Sequence, residues 1–375
     1  RSDRKRLMSA VGRVSDPDRP SRKKLLRAFK KRDQAVLATQ KAEDDLQLAE
    51  TGIRTQPGIR RWKIPHAPAP FETESAPAGD HPEDHFIGRL QVPRSCYICK
   101  TDYDRLHVFY DSLCPDCAEL NWTRRQQTTD LSGRYALVTG GRVKIGYHVA
   151  LKLLEAGAHV VVTTRFPCDA AKRFAAEHDS GEWIDRLQIH GIDLRHTPSV
   201  EAMADHLCET LPRLDFILNN ACQTVRRPPG FYSHLMQDER KLADSLPDST
   251  RQLLESYEAM RNNGVGGTHQ QSMLPAQVED SLVGIRQAAE LSQIPLAPGD
   301  TDFSTELFPT GQLDGDLQQV DLRAVNSWRL RLSDVPTVEL LEVHLVNAVA
   351  PFILNARLKP LMLKVPTRDK HIVNV

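Results

Sequence analysis

The chain has 375 residues, 40% of them hydrophobic, with 49 basic and 49 acidic side chains. This length predicts two or three domains with at least one large core. The formal net charge of zero excludes recognition of a partner by overall charge alone. The charged start excludes a signal peptide, and no apolar run approaches the ~20 residues of a membrane span. We therefore expect a cytoplasmic protein that does not enter a membrane.

Residues 1–62 are predicted to form a basic helical segment. Residues 1–32 contain 13 Lys/Arg and 3 Asp, a net charge of +10, and 21–47 has helical periodicity. Such a segment suits nucleic acid or an acidic partner, but no aromatic residues interleave with the charge, so a solvated helix is favoured. Residues 63–90 are rich in Pro, Ala and acidic residues and are predicted to be a linker.

Four of the seven cysteines form a pattern within residues 91–124. Cys96-x-x-Cys99 and Cys114-x-x-Cys117 are separated by 14 residues, the spacing of a zinc ribbon, and Leu106–Tyr110 is predicted to be a strand between them. A cytosolic redox potential disfavours the alternative of two disulfides. Four thiolates close the coordination shell of Zn²⁺, so the predicted site is structural and not catalytic.

The stretch LVTGGRVKIGYHVALKLLEAGAHVVVTTR, residues 137–165, predicts a strand, a turn, a helix and a second strand. The apolar run from Tyr135 to Val138 ends at Thr139-Gly140-Gly141, which tolerates a sharp turn. Helical periodicity then continues to Gly157, before the apolar run Val160–Val162. In such a βαβ unit the helix N-terminus binds a pyrophosphate. The expected fold is a Rossmann-type, doubly wound parallel α/β sheet.

Further motifs follow in an order that resembles the short-chain dehydrogenase/reductase family, over 132–223 and 335–375. Thr139, Gly140 and Gly146 fit the TGxxxGxG turn, Asp193-Leu194 fits the acidic position that meets adenine, and "ILNNAC" at 217–222 fits the NNAG strand end. The resemblance implies a dinucleotide-binding domain at 132–222, continued at 334–375. The predicted cofactor-binding residues are Thr139, Gly140, Arg142, Lys144, Ile145, Gly146, Thr164, Arg165, Asp193, Leu194, Asn219, Asn220 and Ala221.

Two positions depart from the family motifs. Lys144 stands at the middle glycine of the turn, and Cys222 stands at the last position of NNAG. A β-carbon at position 144 forbids some glycine conformations, and the ammonium is equally suited to reach the pyrophosphate or the solvent. We expect Cys222 to be a small buried thiol that packs as a hydrophobic group.

The end of the second strand predicts which cofactor binds. An acidic residue there favours the unphosphorylated ribose of NAD, whereas an arginine accommodates a 2′-phosphate. The chain has Thr164-Arg165 at this point, with Arg142 in the glycine turn as a second candidate. A guanidinium binds phosphate bidentately, so NADP is favoured over NAD, which stays an alternative.

The resemblance implies hydride transfer between a carbonyl and an alcohol, in which a Ser and a Tyr-x-x-x-Lys handle the proton. No tyrosine of this sequence has a lysine four residues later, so we expect a fragment that is inactive by itself. Asn347 matches the helix asparagine that organises the family's proton relay. The alternative function is a non-catalytic NAD(P) sensor whose zinc module contacts a partner. Expected partners are a small carbonyl or alcohol substrate, and a homo-oligomer is left open.

Residues 223–333 interrupt the family pattern and are predicted to be an inserted subdomain. Helices are expected at 241–261 and 277–292, joined by Gly-, Pro- and Asp-rich stretches. Because the chain leaves the sheet beside the ligand crevice, we expect a lid or a substrate-selecting wall. An oligomerisation subdomain is the alternative.

Overall fold

The computed structural model describes residues 2–15, 22–55, 85–240, 246–263, 281–314 and 318–375. The chain divides into two compact units, Arg1–Gln127 and Thr128–Val375. Each unit has its own core.

The first unit contains helices and a two-stranded sheet. Its helices are α1 (Ser2–Ser15), α2 (Arg22–Ala49), α3 (Gly52–Thr55) and α4 (Pro115–Gln126), and its antiparallel strands are β1 (Phe86–Ser95) and β2 (Asp102–His107). Asp44 fastens α2 to β1, because its carboxylate accepts the backbone N–H groups of Gln91 and Val92 at 2.7 and 2.9 Å. Leu48, Leu90, Tyr103 and Leu106 pack here with the cysteines.

The helix predicted at 21–47 is present as α2, which begins at Arg22 among the described residues. Its apolar side chains Leu25, Leu26, Phe29, Val36 and Leu37 are exposed to solvent, as in the solvated helix that the sequence favoured. The strand predicted at Leu106–Tyr110 instead ends at His107, because the His107 ring accepts the backbone N–H of Phe109 and turns the chain. Most of the predicted linker lies outside the described residues, and its last part begins β1.

The second unit is built on a five-stranded parallel sheet with the order β5-β4-β3-β6-β7. Its strands are β3 (Tyr135–Thr139), β4 (His159–Thr164), β5 (Leu187–Gly191), β6 (Phe216–Asn219) and β7 (His371–Asn374). The strand order reverses between β3 and β6, which pair with each other from Ala136–Phe216 to Val138–Leu218. In such sheets the crevice beside this reversal binds the ligand. The predicted Rossmann-type fold is confirmed.

Helices flank this sheet and bury its apolar side chains. They are α5 (Lys144–Glu155), α6 (Pro167–Ala175), α7 (Thr197–Thr210) and, after the insertion, α13 (Thr337–His344) and α14 (Ala350–Leu363). Gly157 ends the turn after α5 with a φ of +96°, as its position in the sequence predicts. Ile145, one of the predicted cofactor-binding residues, is exposed at the start of α5 and lies at the crevice.

The insertion consists of short helices. They are α8 (Pro229–Tyr232), α9 (Met236–Glu239), α10 (Asp248–Gln252), α11 (Glu255–Asn263) and α12 (Val283–Arg286). Short 3₁₀ turns accompany them at Ser233–Leu235, Glu290–Gln293, Ser327–Arg329 and Leu332–Asp334. Two further 3₁₀ turns, Ser180–Glu182 and Ile184–Arg186, precede the insertion and lie before β5. The long helix predicted at 241–261 is broken, because Leu253 and Leu254 are both buried and the chain turns to bury them. Residues 241–245 and 264–280, including part of the second predicted helix, lie outside the described residues.

The insertion also covers the edge of the sheet. The backbone N–H of Ile189 on edge strand β5 donates to the carbonyl of Leu253 at 2.9 Å, and Asp193 N donates to Gly284 O at 2.8 Å. An uncovered edge strand exposes a row of unpaired peptide groups. The insertion is therefore an integral part of the second unit.

The last long helix contains an irregular turn. Between α13 and α14, the residues Leu345–Val349 form a π-helical turn that carries Asn347. The combined helix Thr337–Leu363 is long and apolar enough to cross a membrane by length and composition, which is weak support for a span. The expectation that no such run exists was therefore wrong. Ala350, Leu354, Leu358 and Leu361 are buried and anchor α14 in the core.

Candidate cofactor-binding site

A cavity of about 760 Å³ opens at the carboxyl ends of the parallel strands. It brings together most of the residues that the sequence selected: Gly140, Arg142, Lys144, Ile145, Thr164, Arg165, Asp193, Leu194, Asn220 and Ala221. The remaining candidates Thr139, Gly146 and Asn219 are buried and are not lining residues. The cavity therefore lies at the strand-order reversal, where the sequence placed the site.

The glycine turn is packed against the end of β6. Gly140 has a φ of +68°, and a β-carbon there would lie 2.9 Å from the Cα of Ala221. A β-carbon on Gly146 would lie 2.3 Å from Nδ2 of Asn220. Both positions leave room only for glycine, so the turn keeps the close backbone approach that a dinucleotide requires.

Asn220 and Thr139 hold this turn in place. The Asn220 amide donates to the carbonyls of Thr139 and Gly140 at 3.0 and 3.1 Å, while Thr139 Oγ1 accepts the N–H of Ala221 at 3.0 Å. Behind them, the buried Asn219 amide donates to Asn355 and Asn374. Thr139 and Asn219 thus support the site from behind, and Asn220 both lines the cavity and supports the turn.

Lys144 adopts the backbone conformation that its glycine position demands. Its φ is +55°, in the left-handed region, and its side chain is exposed at the cavity wall. For a residue with a β-carbon this conformation costs roughly 1 kcal/mol or more. The departure from the family motif therefore changes the side chain and strains the backbone without altering the turn.

The two arginines proposed for the 2′-phosphate have different surroundings. Arg142 is buried and donates to Asp169 at 2.7 Å, and Arg173 binds the same carboxylate oxygen at 2.7 Å. Arg165 is half-buried, and among the described residues its side-chain hydrogen bond is to neutral Tyr232, at 2.7 Å. Only Arg165 keeps a guanidinium that is not ion-paired within the described chain.

Asp193, the predicted adenine contact, is buried at the cavity wall, and its carboxylate is bound by Arg195. Arg195 donates to both carboxylate oxygens through Nε and Nη2, and its backbone N–H binds Oδ1 at 2.9 Å. Burial disfavours the charged carboxylate, but these hydrogen bonds and the Arg195 charge hold the pKa of Asp193 below its usual value. Its side chain therefore serves mainly to fix Arg195.

This pair begins a chain of buried charges that the sequence analysis missed. Arg195 also binds Glu342, Glu342 binds Arg226 at 2.6 Å, and Arg226 binds Asp300 through two bonds of 2.6 and 2.7 Å. This series of ion pairs joins the end of β5, the insertion and α13. No sequence motif carries it, because the partners are up to 147 residues apart.

Asn347, the predicted catalytic residue, is exposed and paired with the backbone of Gln223. Its Oδ1 accepts the Gln223 N–H at 2.8 Å and its Nδ2 donates to the Gln223 carbonyl at 3.2 Å. Gln223 and Val346 line the cavity, whereas Asn347 is not a lining residue. Cys222 is exposed at the cavity as well, so the expectation of a buried thiol was wrong.

In the first unit, the four patterned cysteines lie together at the end of β1 and the start of α4. Their sulfurs all lie within 4.8 Å of one another, and Cys99 and Cys114 are 3.5 Å apart. A tetrahedron with Zn–S bonds of ~2.3 Å needs sulfurs roughly 3.8 Å apart, so the cluster suits this ion. Burial disfavours a thiolate at Cys96, but backbone N–H groups outweigh it and lower its pKa to about 6. Hydrogen bonding with Cys114, together with burial, raises the pKa of Cys117 to about 12.

A second cluster in this unit has the composition but not the chemistry of a metal site. His85, His107 and Glu119 each offer a ligand atom within 4.8 Å of the others. However, Nδ1 of His107 accepts the backbone N–H of Phe109 at 2.9 Å, and burial lowers the His107 pKa to about 4. The neutral ring then carries its proton on the other nitrogen, so it has no lone pair left for a cation.

The strand order, the glycine turn and the cavity at the strand reversal define a dinucleotide-binding α/β domain of the Rossmann class. Comparison with known families agrees, because residues 134–240 match the model of the family described as short chain dehydrogenase. The resemblance to the short-chain dehydrogenase/reductase family that the motifs predicted is confirmed over these residues.

Several relatives are similar to parts of the chain. "Uncharacterized protein R665" of Acanthamoeba polyphaga mimivirus is 27% identical over 75% of this chain and 52% of its own length. The rhamnolipid-biosynthesis 3-oxoacyl-[acyl-carrier-protein] reductase of Pseudomonas aeruginosa is 39% identical over 24% of this chain and 34% of its own length. The "RhlG/NADP active-site complex" of the same organism is 30% identical over 34% of this chain and 47% of that chain, with a TM-score of 0.22. The chain thus spans about half the length, or less, of these relatives.

Proposed function

We propose that this chain carries the cofactor-binding part of an NADP-dependent oxidoreductase that interconverts a carbonyl and an alcohol. The observation that carries the proposal is the guanidinium of Arg165 at the end of β4, which is not ion-paired within the described chain and faces the cavity beside the glycine turn. An arginine at this point suits a ribose 2′-phosphate, to which it donates bidentately. Arg142 does not suit the role of a direct phosphate ligand, because Asp169 holds its guanidinium.

The residues of the cavity suit the other parts of the dinucleotide. Gly140 and Gly146 let the glycine turn pack closely against Ala221 and Asn220. The N-terminus of α5, which follows this turn, offers backbone N–H groups and the positive end of its dipole to a pyrophosphate. Lys144 adds a cation at the same wall. NADP when bound supplies or accepts the hydride, and this protein supplies binding, orientation and electrostatics.

The site also suggests how the substrate end is organised. Asn347 fixes the peptide of Gln223 through two hydrogen bonds, and this peptide leaves the end of β6 beside the cavity. The buried charge chain through Arg226 and Glu342 holds the first part of the insertion against the same wall. We propose that the insertion is a fixed wall that limits which carbonyl compounds enter and excludes water from the reacting atoms.

The cofactor assignment is tested by calorimetry with NADP⁺ and NAD⁺. Wild-type protein is expected to bind NADP⁺ more tightly, and Arg165→Asp is expected to reverse the preference, because a carboxylate repels the 2′-phosphate. Arg251→Asp, a change of a half-exposed arginine outside the cavity, is the matched charge control and should keep the wild-type preference. Equal affinities for the two nucleotides in both proteins would refute the assignment.

We also propose that Cys96, Cys99, Cys114 and Cys117 bind one structural Zn²⁺. Four sulfurs at these separations cannot all ionise without a cation, and a zinc ion stabilises four thiolates together. The metal then links the Cys-x-x-Cys pair before β2 to the Cys-x-x-Cys pair at the start of α4. Such a link stabilises the small first unit, whose apolar core is limited.

A further inference from the structure

Tyr232, which belongs to the insertion, makes direct contact with the arginine at the end of β4. Nη2 of Arg165 donates to the Tyr232 hydroxyl at 2.7 Å. The guanidinium also lies over the Tyr232 ring, 4.6 Å from its centroid. A hydrogen bond and a cation–π contact to one side chain together restrict both the position and the tilt of the guanidinium plane.

The tyrosine ring is itself held from several sides. It packs against Phe166 with centroids 5.0 Å apart and makes an edge-to-face contact with Phe231, also at 5.0 Å. Phe166, Leu235, Met236 and Ala289 form a separate buried cluster against which Tyr232 packs. Because Phe166 directly follows Arg165, the cluster fixes the backbone next to Arg165 as well as the tyrosine that Arg165 contacts.

The contact orders the arginine without neutralising it. An arginine has five N–H donors, and Tyr232 accepts from one of them, so the remaining donors stay available for an anion. Arg142 illustrates the opposite case, because an ion pair with the Asp169 carboxylate holds its guanidinium. A free arginine side chain loses rotamer entropy when it is fixed, so ordering it in advance favours binding.

We propose that Tyr232 is a positioning residue that presents Arg165 to the 2′-phosphate of the cofactor, so that the insertion helps to select NADP. This inference rests on the proposed NADP function and deepens it. The insertion then acts at both ends of the cavity. Gln223 begins it beside Asn347, and Tyr232 reaches the ribose end, whereas the sequence suggested a role only beside the substrate.

The test measures the affinities for NADP⁺ and NAD⁺ by calorimetry in Tyr232→Phe, Tyr232→Leu, Arg165→Ala and the two double variants. Tyr232→Phe keeps the ring and is expected to weaken NADP⁺ binding roughly threefold, while Tyr232→Leu removes both contacts and weakens it roughly tenfold. NAD⁺ affinity should stay at the wild-type value in both. In the Arg165→Ala background neither change at Tyr232 should alter NADP⁺ affinity further.

Tyr257→Phe is the matched control, because it removes a buried tyrosine hydrogen bond elsewhere in the insertion, from Tyr257 to the carbonyl of Ile285. It should leave the ratio of the two affinities unchanged. If Arg165→Ala lowers NADP⁺ affinity but the Tyr232 variants behave like wild type, or lose NAD⁺ affinity equally, the positioning role is overturned and the cofactor assignment stands. If Arg165→Ala changes neither affinity, the cofactor assignment and the positioning role are both overturned.

Discussion

Arg226 and Glu342 form a buried ion pair in which Nε of the arginine donates to the carboxylate at 2.6 Å. Arg226 lies in the insertion and Glu342 on α13, and 9% and 5% of their side chains are exposed. Each also binds a second charged residue, Asp300 and Arg195 respectively. Because a buried charge without its partner is costly, this pair commits the insertion to one position against the helix.

We expect Glu342→Ala to destabilise the protein by about 3 kcal/mol, because it leaves Arg195 and Arg226 buried with one partner each. Urea unfolding followed by circular dichroism measures the change. Glu339→Ala on the same helix is the control, since Glu339 has no ion pair among the described residues, and it should change stability by less than ~0.5 kcal/mol. Equal stabilities of the two variants would show that the pair does not fix the insertion.

A second prediction concerns the strained residue in the glycine turn. Lys144→Gly relieves the left-handed backbone, whereas Lys144→Ala keeps the strain, and both remove the ammonium. We therefore expect the glycine variant to be more stable than the alanine variant by about 1 kcal/mol in thermal or urea unfolding. Both should bind NADP⁺ more weakly than wild type and equally so. A more stable alanine variant would contradict the backbone conformation.

A third prediction concerns His190, a fully buried residue of β5. Neither of its ring nitrogens has a hydrogen-bond partner among the described residues. Burial and, to a smaller extent, the nearby His206 lower the pKa of His190 to about 3. Since an unfolded histidine takes up a proton near pH 6.5, folding stability should fall as the pH decreases from about 6.5 towards 3.

His190→Leu removes this titration at a similar side-chain volume. The unfolding free energy of the variant, minus that of wild type, should therefore increase as the pH is lowered from 7 to 5. Urea titrations at each pH measure this difference. His178→Leu is the control, because His178 is exposed. A difference between His190→Leu and wild type that does not vary with pH would show that His190 is protonated in the folded state.

The fourth prediction concerns the cysteine cluster. Metal analysis of the purified protein should find about one zinc per chain, and Cys96→Ser with Cys114→Ser should lose it, because two of the four ligands are gone. Cys168→Ser with Cys208→Ser is the control, since these cysteines belong to the second unit and lie outside the cluster. A folded wild-type protein without zinc would contradict the proposal.

The sequence alone determined the Rossmann sheet and most of the cavity. Strands β3, β4 and β6 each contain an apolar run, the glycine turn follows β3 directly, and the carboxyl ends of parallel strands share one edge of the sheet. These signals are local, so Gly140, Arg165, Asn220 and the four cysteines could be selected from their immediate neighbours in the chain. Chain order then placed the dinucleotide residues at a common edge.

Only the tertiary structure decided which charged groups are available to a ligand. Arg142 and Arg165 look alike in the sequence, but Asp169 holds the first, while Tyr232, 67 residues away from the second, contacts it without a charge. The insertion carries no motif, and its place at the sheet edge and the cavity depends on Leu253, Arg226 and Tyr232 meeting distant partners. Ion pairs and aromatic contacts between remote residues depend on the folded path of the chain, which local periodicity does not encode.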